Sequence, residues 1–355
     1  MNIYITILML SLLRPAFTLS QPCLAGGIIF STQADIDNFH SNYPNCTEIE
    51  GTVSISGDRI TNLAGLSNLQ KIDGDLHLYT NDSLINLFGL NGLIQIGGSL
   101  TLASNPFLSN LLGLNGLKSI GGAIVLNYTN LHDLSGLDSL VSIGGDLEFT
   151  INPGLSSLTG LESLSSIGGF MFLYYNSDLE SITGLRSLKS INGSLVIEGH
   201  PLLTDLSGLD SINPGTITSL AIYDNTNLST CAIVSICNYL LNPNGTVNIN
   251  NNAQGCNSQY EVENKCELLS INESNEPEKS VIVFPNPCKD LITFDFPREE
   301  FSKGTIKIYN SLGQIVYNRY QENRTINVSN LNKGIYCLIL TMMEKTYRNT
   351  FIVAK

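Results

Sequence analysis

The sequence predicts a mainly β protein in two parts: a leucine-rich solenoid with helices capping its ends, followed by a small β-sandwich. Three observations predict it. A segment of the form Ile-x-Gly-x-apolar-x-apolar begins at Ile72, Ile96, Ile120, Ile143, Ile167 and Ile191, a spacing of 23 or 24 residues. Six cysteines flank that block (Cys23, Cys46, Cys231, Cys237, Cys256 and Cys266) and none lies inside it. Beyond residue 280 the repeat stops, and short alternating apolar segments follow, separated by Pro-Asn-Pro, Ser-Leu-Gly and Asn-Lys-Gly turns.

Residues 1–20 read as a secretory signal peptide. The apolar run Ile3–Leu13 is too short to span a bilayer, and the small residues Thr18 and Ser20 suit a cut before Gln21. No later segment is apolar and long enough to be transmembrane. In an exported chain the six flanking cysteines are disulfide candidates, and the lack of CxxC or HxxxH spacing argues against metal. The net charge of −13 is uneven: residues 21–266 hold 6 Lys/Arg against 21 Asp/Glu, whereas residues 267–355 hold 11 against 10. An acidic body of this kind repels phosphate backbones, which speaks against nucleic acid and anionic membrane as partners.

Each repeat unit accounts for its own residues. Leu100 and Leu102 alternate with Ser99 and Thr101, the period of a half-buried strand. The preceding Gly-Gly suits a tight turn with positive φ. Leu108, Leu111, Leu114 and Leu117 recur every third residue, a spacing for tightly wound coil. No unit can bury these leucines alone, so units must stack around a common interior. Divergent outer units at Val53/Ile55, Leu220/Ile222 and Val247/Ile249 bring the strands to nine, a sheet of about 38 Å. Asn81, Asn105, Asn152, Asn176 and Asn225 share one turn position, which predicts a structural ladder satisfying backbone groups.

The ends need lids. Residues 32–42 place Ala34, Ile36 and Phe39 on one helical stripe behind Thr32, beside a Cys23–Cys46 bridge. Residues 230–241, with Ala232, Ile233, Ile236, Tyr239 and Leu240, read as a second helix. Cys231, Cys237, Cys256 and Cys266 would pin it, in a pairing that spacing does not determine. Over residues 21–266, Cys23, the Thr32 helix, Cys46-Thr-Glu-Ile-Glu-Gly and the Leu-x-Gly-Leu-x-x-Leu-x-x-Ile-Gly-Gly units resemble the receptor L domain. The resemblance implies a right-handed, β-helix-like solenoid; in receptors of that family the broad sheet face touches ligand.

Residues 267–280 are polar and read as a linker. Seven short strands are predicted after it: 281–284, 291–296, 305–309, 314–317, 325–328, 336–342 and 347–353. Phe284-Pro285-Asn286-Pro287, Tyr309-Asn310-Ser311-Leu312-Gly313, Leu331-Asn332-Lys333-Gly334-Ile335-Tyr336 and terminal Lys355 resemble the type IX secretion sorting domain of Bacteroidota, over residues 281–355. Asn310 stands where that family usually has Asp. The resemblance implies the type IX machinery as a partner, delivery to the outer cell surface, and often removal of the domain. Cys288 and Cys337 are not typical of the family, and the sequence leaves their pairing open.

No nucleophile–base pair, HExxH, Walker or GxGxxG context is present, and the Gly-Gly pairs recur once per unit as turn glycines. The chain therefore reads as a non-enzyme without cofactor. Asp75, Asp146 and Glu148 face outward as solvating acids; a glycosidase-like acid pair among them is the distant alternative. One unit differs from the rest. With Met171 and Leu173 inward, Phe170, Phe172 and Tyr174 point out, and neighbouring strands offer Val125, Glu148, Val196, Ala221 and Tyr223. Aromatic rings each bury about 150–250 Å², so this patch predicts a ligand site for an extracellular protein or glycan. A surface-coat protein with no discrete ligand is the alternative.

Overall fold

A computed structural model describes residues 22–273, 281–295, 304–310, 313–321, 323–342 and 345–355. The signal segment 1–20 and the linker residues 274–280 lie outside the described residues. Within 22–266 every repeat unit contributes one strand to a parallel sheet. Strand Leu100–Asn105 lies between Leu76–Tyr79 and Ile124–Thr129, in the register Leu78↔Leu102↔Leu126. Ten such strands run from Ile28–Phe30 to Val247–Asn250, one more than the nine read from the sequence. The extra strand, Ile28–Phe30, lacks the repeat signature and is recruited because Phe30 packs into the core. Nine gaps make the sheet about 43 Å long.

A second parallel sheet has eight two-residue strands, from Pro22–Cys23 to Ser190–Ile191. It is built from the residue pairs that end in the unit's first isoleucine, such as Ser119–Ile120 and Ser142–Ile143. Between the two sheets the every-third leucines turn inward, in places through a single 3-10 turn such as Thr183–Leu185. Leu108, Leu111, Leu114 and Leu117 are fully buried and join one cluster running from Phe30 to Val262. Each such side chain stabilises by about 1.5–3 kcal/mol relative to exposure.

The Gly-Gly pairs serve a different need from the one predicted. Their φ angles are not positive; that conformation falls on the Leu-x-Gly-Leu glycine of four units, Gly89, Gly113, Gly136 and Gly160, as in Gly113 at +119°. The pairs are required because consecutive units touch there. A Cβ on Gly121 would stand 2.1 Å from the Gly97 carbonyl oxygen.

The asparagine ladder is present and closes each coil. Asn152 Nδ2 donates to the Leu126 carbonyl at 3.1 Å and to Asn176 Oδ1 at 3.0 Å, and Asn176 Oδ1 also accepts from Asn152 N at 3.0 Å. The residue before each ladder position is left-handed whether or not it is glycine: Tyr128, Ile151 and Tyr175 have φ of 50°, 53° and 50°. Such corners cost about 1–3 kcal/mol each, offset by the buried amide bonds they set up. Two units substitute other side chains. Thr129 Oγ1 donates to Asn152 Oδ1, and His200 Nδ1–H donates to the Asn176 carbonyl at 3.1 Å. His200 is fully buried, and burial pushes its pKa below the ordinary value against the opposing pull of the Asn176 and Leu173 carbonyls.

Helices lie at both ends of the stack. The N-terminal segment forms two short helices, Gln33–Asp37 and Phe39–Asn42, rather than one. Thr32 and Asp35 form a reciprocal capping box. Ile36 and Phe39 are buried as predicted, whereas Ala34 is exposed. At the other end, helix Val234–Leu241 buries Ile236 and Tyr239, and Gln259–Glu273 is also helical. Residues 267–273, predicted as linker, therefore extend that helix. The six cysteines pair as Cys23–Cys46, Cys231–Cys256 and Cys237–Cys266.

Residues 281–355 form two antiparallel sheets. The first has Leu291–Asp295 between Ile282–Phe284 and Thr325–Asn327. The second is ordered Ile315–Gln321, Gly304–Tyr309, Gly334–Met342 and Lys345–Val353. Ile292 and Phe294 from one sheet share a core with Ile306, Leu338 and Phe351 from the other, so all seven predicted segments are strands of a sandwich. Cys288 and Cys337 are unpaired, and burial pushes both thiols up in pKa.

Replacing Asn176 by Ala strands two buried Asn152 donors and should lower unfolding free energy by about 3 kcal/mol, read by denaturant titration. His200 generates a second prediction. Its folded-state pKa is depressed, so the unfolded chain binds the proton first and stability falls as pH drops below about 6.5. His200→Asn should lose less thermal stability than the parent between pH 7 and pH 5.5.

Candidate functional site

The site lies on the face of the ten-stranded sheet turned away from the core, where registered strands align side chains into columns. One column runs His77, Thr101, Val125, Glu148, Phe172, Val196 and Ala221. The next runs Tyr79, Ala103, Asn127, Thr150, Tyr174, Glu198 and Tyr223. Most of these residues are half-buried, as sheet-face residues with small neighbours are.

Phe172 and Tyr174 stack, with ring centroids 5.3 Å apart and planes 13° from parallel. Tyr174 meets the next residue, Tyr175, edge-on at 4.5 Å and 65°. Tyr175 sits at the left-handed corner and is 46% exposed. Its ring can lie across the next unit because that corner is Gly199, where a Cβ would fall 2.9 Å from the ring. Glu198, in register with Tyr174, is only 9% exposed and accepts a short hydrogen bond from the Tyr223 hydroxyl. That bond, reinforced by partial burial, pushes the Tyr223 phenol up to about 12. Burial raises the Tyr175 phenol, and Glu198 adds to the shift. One carboxylate is thus ringed by Tyr174, Tyr175 and Tyr223.

Of the predicted residues, the structure brings together Phe172, Tyr174, Glu148, Val196 and Tyr223, with Val125 one strand further on. Phe170 does not join them. It precedes the strand Met171–Tyr174, is 37% exposed and makes no ring contact with Phe172. Its position belongs to a column that bonds neighbouring units: Asp146 Oδ1 accepts from Phe170 N at 2.9 Å, and Asp75 Oδ1 from Ser99 N at 2.7 Å. Asp75 and Asp146 are therefore structural acceptors rather than simply solvating acids.

Tyr175 and Glu198 were missed. Glu198 was legible, since it alternates with Val196 on the outward side; Tyr175 was not, because only the left-handed corner turns it onto the face. A smaller aromatic pair, His77 and Tyr79, stacks at 5.3 Å on the same columns, about 19 Å away. Among the described residues, no group of three His, Cys, Asp or Glu could hold a metal, and no helix is long and apolar enough to cross a membrane.

The landmark residues of the last domain tie its final strand in place. Asn286, between Pro285 and Pro287, accepts from Ile352 N at 2.9 Å and donates to the Thr350 carbonyl at 3.2 Å. Gly313, at φ +74°, closes a turn in which Asn310 Oδ1 accepts from Gln314 N at 2.9 Å. Gly334 opens a strand, Tyr336 donates to the Asn332 carbonyl at 2.9 Å and stacks on Phe351, and Lys355 Nζ bonds the Ser329 carbonyl. Asn310 makes this turn through its side-chain oxygen, the atom an Asp would also offer.

Comparison with curated proteins finds none that matches the chain. Residues 282–354 match the family described as the Secretion system C-terminal sorting domain. The C-terminal part of this protein is therefore a type IX secretion sorting domain, which marks the chain for secretion or the outer cell surface.

Proposed function

We propose that the chain is a surface-displayed or secreted, non-catalytic recognition protein. Residues 21–266 act as a receptor L domain-like leucine-rich solenoid whose sheet face binds an extracellular protein or glycan. The observation that carries this reading is the platform of Phe172, Tyr174 and Tyr175 on a rigid outward face. Aromatic side chains left half-exposed on such a scaffold are typical of contact surfaces. The terminal helices and their three disulfides act as lids that leave this face open. A binding role rather than chemistry is supported by how the acids are used: Asp75 and Asp146 hold backbone N–H groups, and Glu198 holds a phenol.

The full chain carrying Phe172→Ser and Tyr174→Ser should keep its parent circular dichroism and lose at least about tenfold in binding to cells or matrix. Unchanged binding would remove this reading and favour a coat protein without a discrete ligand. Deleting residues 281–355 should leave the protein inside the outer membrane, detected by cell fractionation, because the address is then missing.

A further inference from the structure

The sign of charge on the outward face is one-sided. All six lysines and arginines between residues 22 and 266 lie off it: Arg59, Lys71, Lys118, Arg186, Lys189 and Lys265. Lys71 is held by Glu48 and Asp73 at the second sheet, and Lys265 bonds the Ser229 carbonyl near the C-terminal end. The two outward columns hold no basic residue except His77, and they hold Glu148 and Glu198, with Asp224 at the adjoining corner.

These acids flank the aromatic platform directly. Glu148 is the register partner of Phe172, and Glu198 that of Tyr174. Partners across a parallel sheet stand about 4.8 Å apart. Glu198 is the more telling of the two. It is nine-tenths buried, its hydrogen-bond partner is a neutral phenol, and among the described residues no cation lies within 4 Å of it. The ring faces of Phe172 and Tyr174 carry the negative side of their quadrupoles.

We infer that this cluster receives a lysine or arginine side chain of a basic polypeptide, its cation seated over Phe172 and Tyr174 between Glu148 and Glu198. The inference rests on the sheet-face reading above and adds the chemical class of the partner. An aliphatic ammonium or guanidinium stem covers the rings while its head meets carboxylates on both sides. A neutral sugar would stack on the same rings and donate hydroxyls to the carboxylates but leave their charge uncompensated, and an anionic ligand would be repelled by them. The acidic body as a whole steers a basic partner in the same direction.

The test is calorimetric titration of the full chain with oligolysine and, separately, with uncharged maltoheptaose. Oligolysine should bind, and Phe172→Ser with Tyr174→Ser, or Glu198→Gln alone, should each weaken it about tenfold. Glu180→Gln makes the same change in net charge away from the face and should shift affinity less than twofold. Equal losses in Glu198→Gln and Glu180→Gln would overturn the inference, since the attraction would then be diffuse. So would maltoheptaose binding that depends on Phe172 and Tyr174 while oligolysine binding does not; the sheet-face reading would survive that result. If the double variant keeps full binding to cells or matrix, the sheet-face reading itself fails.

Discussion

At the corner of most coils, a buried asparagine side chain donates to a carbonyl of the coil before it and accepts from that coil's ladder residue through a single oxygen. Asn152 and Asn176 show the pattern at hydrogen-bond distances of 3.0–3.1 Å. These amides sit at zero exposure, so breaking one leaves donors and acceptors that no water reaches. The cost of slipping register is correspondingly high. The chain must return to the same point every unit, and the left-handed residue before each corner is tolerated because that return demands it.

The outward face follows from that constraint. With register locked, residues two apart on one strand become neighbours of their counterparts on the next, and a patch can be assembled from units far apart in sequence. Phe172, Glu198 and Tyr223 come from three successive strands. Their backbone positions are set by the ladder and the leucine core, so the contacts their side chains make with one another are not what holds the strands in register. The corner also creates surface: Gly199 gives up a side chain, and Tyr175 occupies the space.

Much of this was legible in the sequence because a repeated pattern averages out local ambiguity. The inward leucines, the ladder asparagines and the seven strands of the last domain were all identified by period or by turn residues. Three features were not legible, each for a physical reason. Ile28–Phe30 joins the sheet through edge pairing, which needs no repeat signature. The second sheet rests on two-residue strands, too short for any periodicity to register. The Gly-Gly pairs could be seen to need absent side chains, but whether for φ or for close approach depends on the neighbouring coil, which sequence alone does not place. Phe170 is exposed but makes no ring contact with Phe172, a separation that strand alternation alone does not reveal; its backbone N–H is tied to Asp146 of the neighbouring unit.

The stacking claim is tested most directly by removing whole and partial units and following unfolding by calorimetry. Deleting residues 121–143 joins Ile120 to Gly144, removes the coil carrying Thr129, and brings Asn105 next to Asn152 in the ladder. Independent nearest-neighbour coils predict that this shortened chain folds and melts in one transition close to the parent's. Deleting only residues 121–132 puts the strands out of step and should abolish that transition. If the whole-unit deletion proves as damaging as the partial one, the coils do not stack in the register described.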